Sequence, residues 1–383
     1  MTSAHTLAII ALVLVVIALL LAAAALLGSR RASAAAQENA RRLARLERRG
    51  REDHRAHAPH DGDDDAEDRD PVVAAVFNPS KFSDPERAKR EIAEAVGRSG
   101  GGEVLFYETT EEDPGKGQTV RAVHDGADIV LAVGGDGTVR MVASGLADSG
   151  KTMGIVPMGT GNLLARNLSI PLDDIPAAVR IALDPRGAQR IDVGWLRQGD
   201  SLEEIEIAEK QIFLVMAGFG ADAEVIGATN AKMKKRIGWI AYVIAGFTKV
   251  VGRSHDVRIT LPGEIVHQVR ARTVLVGNVG KLPGGIVLMP DATIDNGRLE
   301  VLAMGWRNAA GLSQIGAQLI APSLRRSGLL KLSSMERFLV RRVRLEASRP
   351  QPVQLDGDTS PAASVVVAEV DPGALIVRAP IEG

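Results

Sequence analysis

The sequence predicts an α/β domain built on a parallel sheet, then a mainly antiparallel β-sandwich domain, with one N-terminal transmembrane helix ahead of both. Three observations predict this. Between residues 72 and 167 short apolar runs alternate with helix-patterned segments, and four of the runs end in polar or glycine-bearing loops. Past about residue 188 that alternation gives way to strand patterns separated by Gly-rich turns. Residues 6–27 are uncharged and almost entirely Ala, Leu, Val and Ile, a length that spans a bilayer as a helix.

Composition narrows the function classes. The chain has 383 residues, 45% of them hydrophobic and 24% charged, enough for two domains and their cores. Its net charge is −1, so no bulk basicity points to nucleic acid, and 3% aromatics argue against a base-stacking surface. There is no cysteine, which excludes disulfides and thiolate metal sites.

No Lys or Arg precedes residues 6–27, whereas Arg30, Arg31, Arg41, Arg42, Arg45, Arg48 and Arg49 come after them. The positive-inside rule then puts the bulk of the chain in the cytoplasm, as a single-pass protein of the cell membrane. A cleaved signal peptide competes, since Ala22 to Ala25 supply small residues, but a basic leader is missing. Residues 28–70 link this span to the α/β domain. Residues 32–55 read as a helix, Ala-rich and then Arg-rich, lying on anionic headgroups or simply solvated. Residues 56–70 are acidic and aperiodic and read as a disordered linker; His54, just before it, and His57 and His60 within it, spaced three apart, read as filler rather than metal ligands.

The α/β domain is expected over residues 71–188. Residues 72–77 form a buried strand ended by Asn78-Pro79-Ser80-Lys81. Asp84 caps a helix with Pro85 at its first position, patterned over 86–96. A second strand spans 104–107 and leads to Thr109-Thr110, and a helix covers 119–124. The third strand, 128–133, runs into Gly134-Gly135-Asp136-Gly137-Thr138, with a helix over 139–146. The fourth, 154–157, leads to Met158-Gly159-Thr160-Gly161-Asn162 and a helix over 163–167. Ligands of such sheets sit beyond the carboxyl ends of the strands, where all four loops fall. Glycines there permit close backbone approach, and free N–H groups at the turns suit phosphate oxygens. Asp136 adds a carboxylate that could act through Mg²⁺ on a nucleotide; the competing reading is a tight turn with a capping Asp.

Taken in order, Asn-Pro-Ser-Lys, Gly-Gly-Asp-Gly-Thr and Pro-Met-Gly-Thr-Gly-Asn resemble the diacylglycerol kinase catalytic family, which includes bacterial lipid kinases and the sphingosine and ceramide kinases. The resemblance covers roughly residues 71 to 383. It implies an ATP site at Asn78, Pro79, Ser80, Lys81, Thr110, Gly134, Gly135, Asp136, Gly137, Thr138, Val139, Gly159, Thr160 and Asn162, with Asp136 meeting a catalytic Mg²⁺ through water. Two departures stand out in this half. The first loop often continues to Ser-Gly where this chain has Ser80-Lys81, and many bacterial members carry Asp where this chain has Leu163. Lys81 reads equally as a phosphate-facing charge and as a solvated loop residue.

The second domain, residues 189–383, is expected to take the acceptor. Strands are expected at 190–195, 211–216, 256–261, 272–279 and 298–303. A helix at 238–251, carrying Trp239, Tyr242, Ile244 and Phe247 behind Lys232, Lys234, Lys235 and Arg236, reads as a lipid entry or as an ordinary core helix. Arg325, Arg326 and Lys331 form a further basic cluster, facing a membrane or solvated. The stretches 217–222 and 283–297 resemble shared family segments. Relatives bind a structural Mg²⁺ in the latter through a carboxylate whose place is taken here by Asn296, so only a weak site is expected. In Asp356-Gly357-Asp358 the family has Asp-Gly-Glu, so the resemblance makes Asp358 the general base for an acceptor hydroxyl; taken alone the stretch is a plain hairpin turn. By resemblance, the end of the chain returns to the first domain.

The function expected is a membrane-anchored lipid kinase using ATP and Mg²⁺, with a lipid of the bilayer as substrate and diacylglycerol as the default acceptor. A sphingoid or other lipid acceptor, a soluble-substrate kinase such as NAD kinase, and a non-catalytic nucleotide or lipid sensor are the alternatives. Some family members dimerise, which carries over the expectation of a homodimer.

Overall fold

The structure is a computed structural model that describes residues 70–220, 254–282, 286–306 and 333–381. The expectations for 6–27 and 28–69, the helix at 238–251 with its basic run, the cluster at Arg325, Arg326 and Lys331, and residues 221–222 and 283–285 lie outside the described residues. Among the described residues no helix is long and apolar enough to cross a membrane.

Strand β1 (Val73–Phe77) is buried along its whole length, as is β3 (Ile129–Gly134). Continuous apolar runs suit strands covered on both faces. β1 pairs in parallel with β2 (Val104–Glu108) on one side and with β3 on the other, and β3 pairs in parallel with β4 (Thr152–Pro157). The crossovers are helical. Helix α1 (Pro85–Arg98) starts where Asp84 accepts the Arg87 N–H at 2.9 Å, and it buries Ile92, Ala95 and Val96. Then come α2 (Lys116–His124), α3 (Asp136–Leu146), α4 (Leu163–Asn167) and α5 (Ile175–Leu183). The α5 helix is not foreseen from the pattern, although Asp174 caps it and proline occupies its first turn. The helix expected over 139–146 begins instead at Asp136, because Gly135 is its N-cap and part of the glycine loop is already helical.

The later strands are β5 (Ala188–Gly199), β6 (Gln211–Phe213) and β7 (Met216–Phe219), with the short α6 (Leu202–Ile207) after β5. Beyond these lie β8 (His255–Leu261), β9 (Ile265–Ala271), β10 (Thr273–Gly277), the pair β11 (Lys281–Leu282) and β12 (Ile286–Val287), β13 (Leu299–Trp306), β14 (Ser333–Val340), β15 (Arg342–Leu355) and β16 (Asp358–Arg378). The single strand expected over 211–216 is two, interrupted at Leu214 and Val215. Pairing in this half is antiparallel, as expected of a sandwich-type domain. A second apolar core, including Phe213, Phe219, Ile259 and Leu345, fills it.

Both halves share one mixed sheet, with the main order β14-β13-β10-β7-β15-β16-β4-β3-β1-β2. The join is β16. Its first half pairs with β15, it pairs with β5 from Val365 to Arg378, and near its end Ile376 and Val377 lie parallel to Thr152 and Met153 of β4. A register shift between Asp371 and Leu375 bends it, and there the buried Asp192 accepts the Gly373 N–H at 2.9 Å and the Gly297 N–H at 2.5 Å.

Candidate active site

The loops after β1, β3 and β4 meet at the carboxyl edge of the parallel strands. Asn78 Nδ2 donates to Thr138 Oγ1 at 3.3 Å, and Asn78 Oδ1 accepts from Ser80 N at 3.1 Å and Ser80 Oγ at 2.7 Å, so the first loop is hinged on the third. Met158 N donates to the Gly134 carbonyl at 2.8 Å. Glycine is required at Gly134, where a Cβ would stand 2.5 Å from Thr138 Oγ1. Gly135 faces Gly159 and the Lys81 stem: its Cβ position is 3.6 Å from Gly159 Cα and 3.7 Å from Lys81 Cε. Asn162, in the left-handed region, ties its own loop, accepting from Gly159 N at 2.9 Å and donating to Gly159 O at 2.7 Å.

Asp136 is the hub. Its Oδ2 accepts the Asn162 N–H at 2.8 Å and its Oδ1 the Leu163 N–H at 2.6 Å. The carboxylate therefore caps α4, across the site from its own helix, so the capping alternative holds for the neighbouring helix. A Cβ on Gly161 would fall 2.5 Å from Asp136 Oδ2, which explains that glycine. Burial pushes the Asp136 carboxyl above its ordinary range; the Leu163 and Asn162 N–H groups oppose this, and the charge of Asp358 adds to it. Helix α3 itself has no side-chain cap, so its first N–H groups face the loop cluster as donors for an anion.

The hairpin between β15 and β16 carries the other carboxylates. Asp356 and Gly357 both have positive φ, 51° and 95°, the backbone of a two-residue turn. Asp356 is buried and accepts N–H from Leu214 at 2.8 Å, Val215 at 2.8 Å and Met216 at 2.9 Å, which is why the 211–219 segment breaks there. Burial pushes its carboxyl up to about 6, against the pull of those three donors and of Arg140. Asp358 is thereby held over the start of α3: its Oδ2 lies 3.3 Å from the Cβ position of Gly137 and accepts from Arg140 Nη2 at 2.7 Å.

Not every expected residue joins this cluster. Thr110 is exposed and tied to its own turn, its hydroxyl accepting the Asp113 N–H at 3.1 Å. Thr160 is exposed at the loop tip. Val139 turns its side chain into the core and gives its N–H to the Gly135 carbonyl. Asn296 Oδ1 accepts the Arg298 N–H at 2.9 Å and its Nδ2 donates to the Asp291 carbonyl, so the side chain is held within its own turn. The buried carboxylates of that region are Asp192 and Glu300, the latter paired with Arg337. Asp192, Arg140 and the anchoring role of Asp356 escape sequence reasoning. Only Arg140 leaves a signal, a cation one turn past the glycine loop.

The residues suit a divalent cation that arrives with phosphate. Among the described residues no three His, Cys, Asp or Glu side chains gather as a metal cage. The Asp136 carboxylate accepts the Asn162 and Leu163 N–H groups and its own, which leaves capacity for a water or cation, and phosphate oxygens would supply the remaining ligands.

Comparison with known proteins places this geometry. Residues 73–196 match the diacylglycerol kinase catalytic domain, and residues 215–379 match the YegS C-terminal NAD kinase beta sandwich-like domain. A diacylglycerol kinase of Staphylococcus aureus (strain bovine RF122 / ET3-1) is 29% identical over 245 residues, 63% of this chain and 72% of that protein. The diacylglycerol kinase of strain MRSA252 matches to the same extent. The crystal structure of a diacylglycerol kinase from Bacillus anthracis str. Sterne shares the fold, with a TM-score of 0.60 at 23% identity, covering 81% of this chain and 97% of that one.

Proposed function

Carrying both domains in order, the chain belongs to the diacylglycerol kinase catalytic domain family, and we propose that it is a membrane-anchored lipid kinase moving the γ-phosphate of ATP onto a lipid hydroxyl. Diacylglycerol, giving phosphatidic acid, is the first acceptor to test, because the relatives at 29% identity bear that name. The observation that carries the reading is the position of Asp358, 3.3 Å from the Cβ position of Gly137 at the uncapped start of α3. A base and a phosphate-binding helix terminus in that proximity suit in-line transfer to a hydroxyl.

In this reading the N–H groups at the start of α3 cradle the transferred phosphate, with Thr138 and Asn78 fixing the loop around it. Lys81, packed along Gly135, brings its ammonium to the same phosphates. Asp358 takes the hydroxyl proton on Oδ1 as the new O–P bond forms and the bond to the leaving ADP breaks. Asp136 would hold a Mg²⁺ ion through water, and such an ion would supply charge neutralisation at the phosphate oxygens. The remaining contribution of the chain is positioning and exclusion of water. Residues 6–27 would keep the enzyme on the bilayer that holds its acceptor, with the catalytic part in the cytoplasm.

The test is transfer of labelled γ-phosphate from ATP with Mg²⁺ into a total lipid extract, comparing the wild type with Asp136→Ala and Asp358→Ala. A labelled lipid made by the wild type alone supports the reading, and chromatography names the acceptor. Intact ATP binding with no labelled lipid in any sample would overturn it in favour of a sensor.

A further inference from the structure

Arg140 stands one turn into α3, on the helix whose N-terminus faces the loop cluster. Its side chain is 13% exposed, whereas that of Asp358 is 56% exposed. The two join at 2.7 Å across 218 residues of sequence. The Arg140 Nε is buried with no hydrogen-bond partner among the described residues. One Asp358 oxygen lies 3.3 Å from the Cβ position of Gly137, and the residue directly follows the hairpin turn. A half-exposed Asp on a turn would otherwise sample its staggered rotamers freely. Asp356 anchors the backbone of that turn but not the Asp358 side chain.

We propose that Arg140 is a positioning residue for Asp358: its guanidinium, held from α3, fixes one carboxylate oxygen against the start of that helix and leaves the other turned to the acceptor hydroxyl. This rests on the kinase reading of the site. The pair also couples the base to the helix that binds phosphate, since one helix carries both Arg140 and the N–H donors. A planar guanidinium fixes direction as well as charge, so lysine should replace it only in part. Loss of Arg140 should therefore reduce turnover and leave nucleotide affinity nearly intact.

The experiment measures kcat and KM for ATP and for a diacylglycerol acceptor in mixed micelles, in the wild type, R140A, R140K, D358A and R140A/D358A. Hydrogen exchange is followed in parallel over residues 354–360. The expected result is a fall of roughly 10- to 100-fold in kcat for R140A with KM for ATP changed less than about threefold. R140K should recover part of the loss, and the double variant should be no slower than D358A alone. Amides of the hairpin should exchange as in the wild type in R140A, as should those of β1 and β3, because Asp356 holds that backbone. Multiplicative losses in R140A/D358A, or a raised KM for ATP with unchanged kcat, would overturn the proposal, as would faster hairpin exchange in R140A, which would make Arg140 an anchor of the fold rather than of the side chain. If the wild type phosphorylates no lipid, the kinase reading falls, and the exchange data still decide whether Arg140 holds the hairpin.

Discussion

Replacing Asp356 should change stability in a pH-dependent way whose sign is set by burial. The carboxyl accepts three backbone N–H groups yet is buried, and burial prevails, raising it from 3.8 to about 6. A folded-state value above the unfolded one means the native protein binds the extra proton between these limits. Its contribution to stability is then fully present below about pH 4 and is lost as pH rises through about 6. The rise corresponds to about 3 kcal/mol. Asp356→Ala leaves three buried N–H groups without an acceptor and destabilises at every pH, but it also removes this titration. The destabilisation by Asp356→Ala should therefore be larger at pH 4 than at pH 7.5, by up to about 3 kcal/mol. Urea unfolding midpoints of both proteins at the two pH values measure it, and carboxylates common to both cancel in the difference. A destabilisation that grows from pH 4 to pH 7.5 would refute the reasoning, because it would mean that the three donors and Arg140 outweigh burial.

Three further outcomes are expected from the site. Asp136→Asn keeps the shape but offers one acceptor to two N–H groups; it should cost about 1 kcal/mol in thermal unfolding and abolish most phosphate transfer. Gly161→Ala sets a methyl 2.5 Å from Asp136 Oδ2 and should lower kcat at least tenfold while circular dichroism stays that of the wild type. Asp358→Glu restores the side chain common in the family, but Oδ2 is already 2.7 Å from Arg140 and 3.3 Å from the Gly137 Cβ position. Its kcat should drop by about an order of magnitude, and equal or higher turnover would show that the space is not limiting.

The nucleotide half is legible because its apolar runs end on glycine, proline and Asx residues, each with a local reason to stop a strand or start a helix. The start of α3 is misplaced in the sequence reading because Gly-Gly-Asp-Gly-Thr has poor helix propensity, and only tertiary structure makes Gly135 a cap. β9 alternates weakly, with exposed Ile265 and Val266, and carries no clear signal. Pro350 and Pro352 argue against a strand where β15 runs, and the register shifts between Glu346 and Val353 accommodate that stretch. Among the site residues, spacing and resemblance point to the glycine loops and to Asp358. The partners of Asp136, Asp356 and Arg140 lie on distant parts of the chain, and no local pattern encodes such pairs.

The path of β16 bears on how this protein can be divided or altered. The strand that opens with Asp358 closes beside β4 of the parallel sheet. A shortened chain ending after β5 would keep every glycine loop and still expose a raw sheet edge along β4 and β5, open to self-association. The α/β half is thus not a detachable module, and fusions or swaps cut between the two matched domains should yield insoluble halves. Gene duplications that exchange the C-terminal domain would have to carry residues 358–378 with them and re-fit that strand to a foreign sheet.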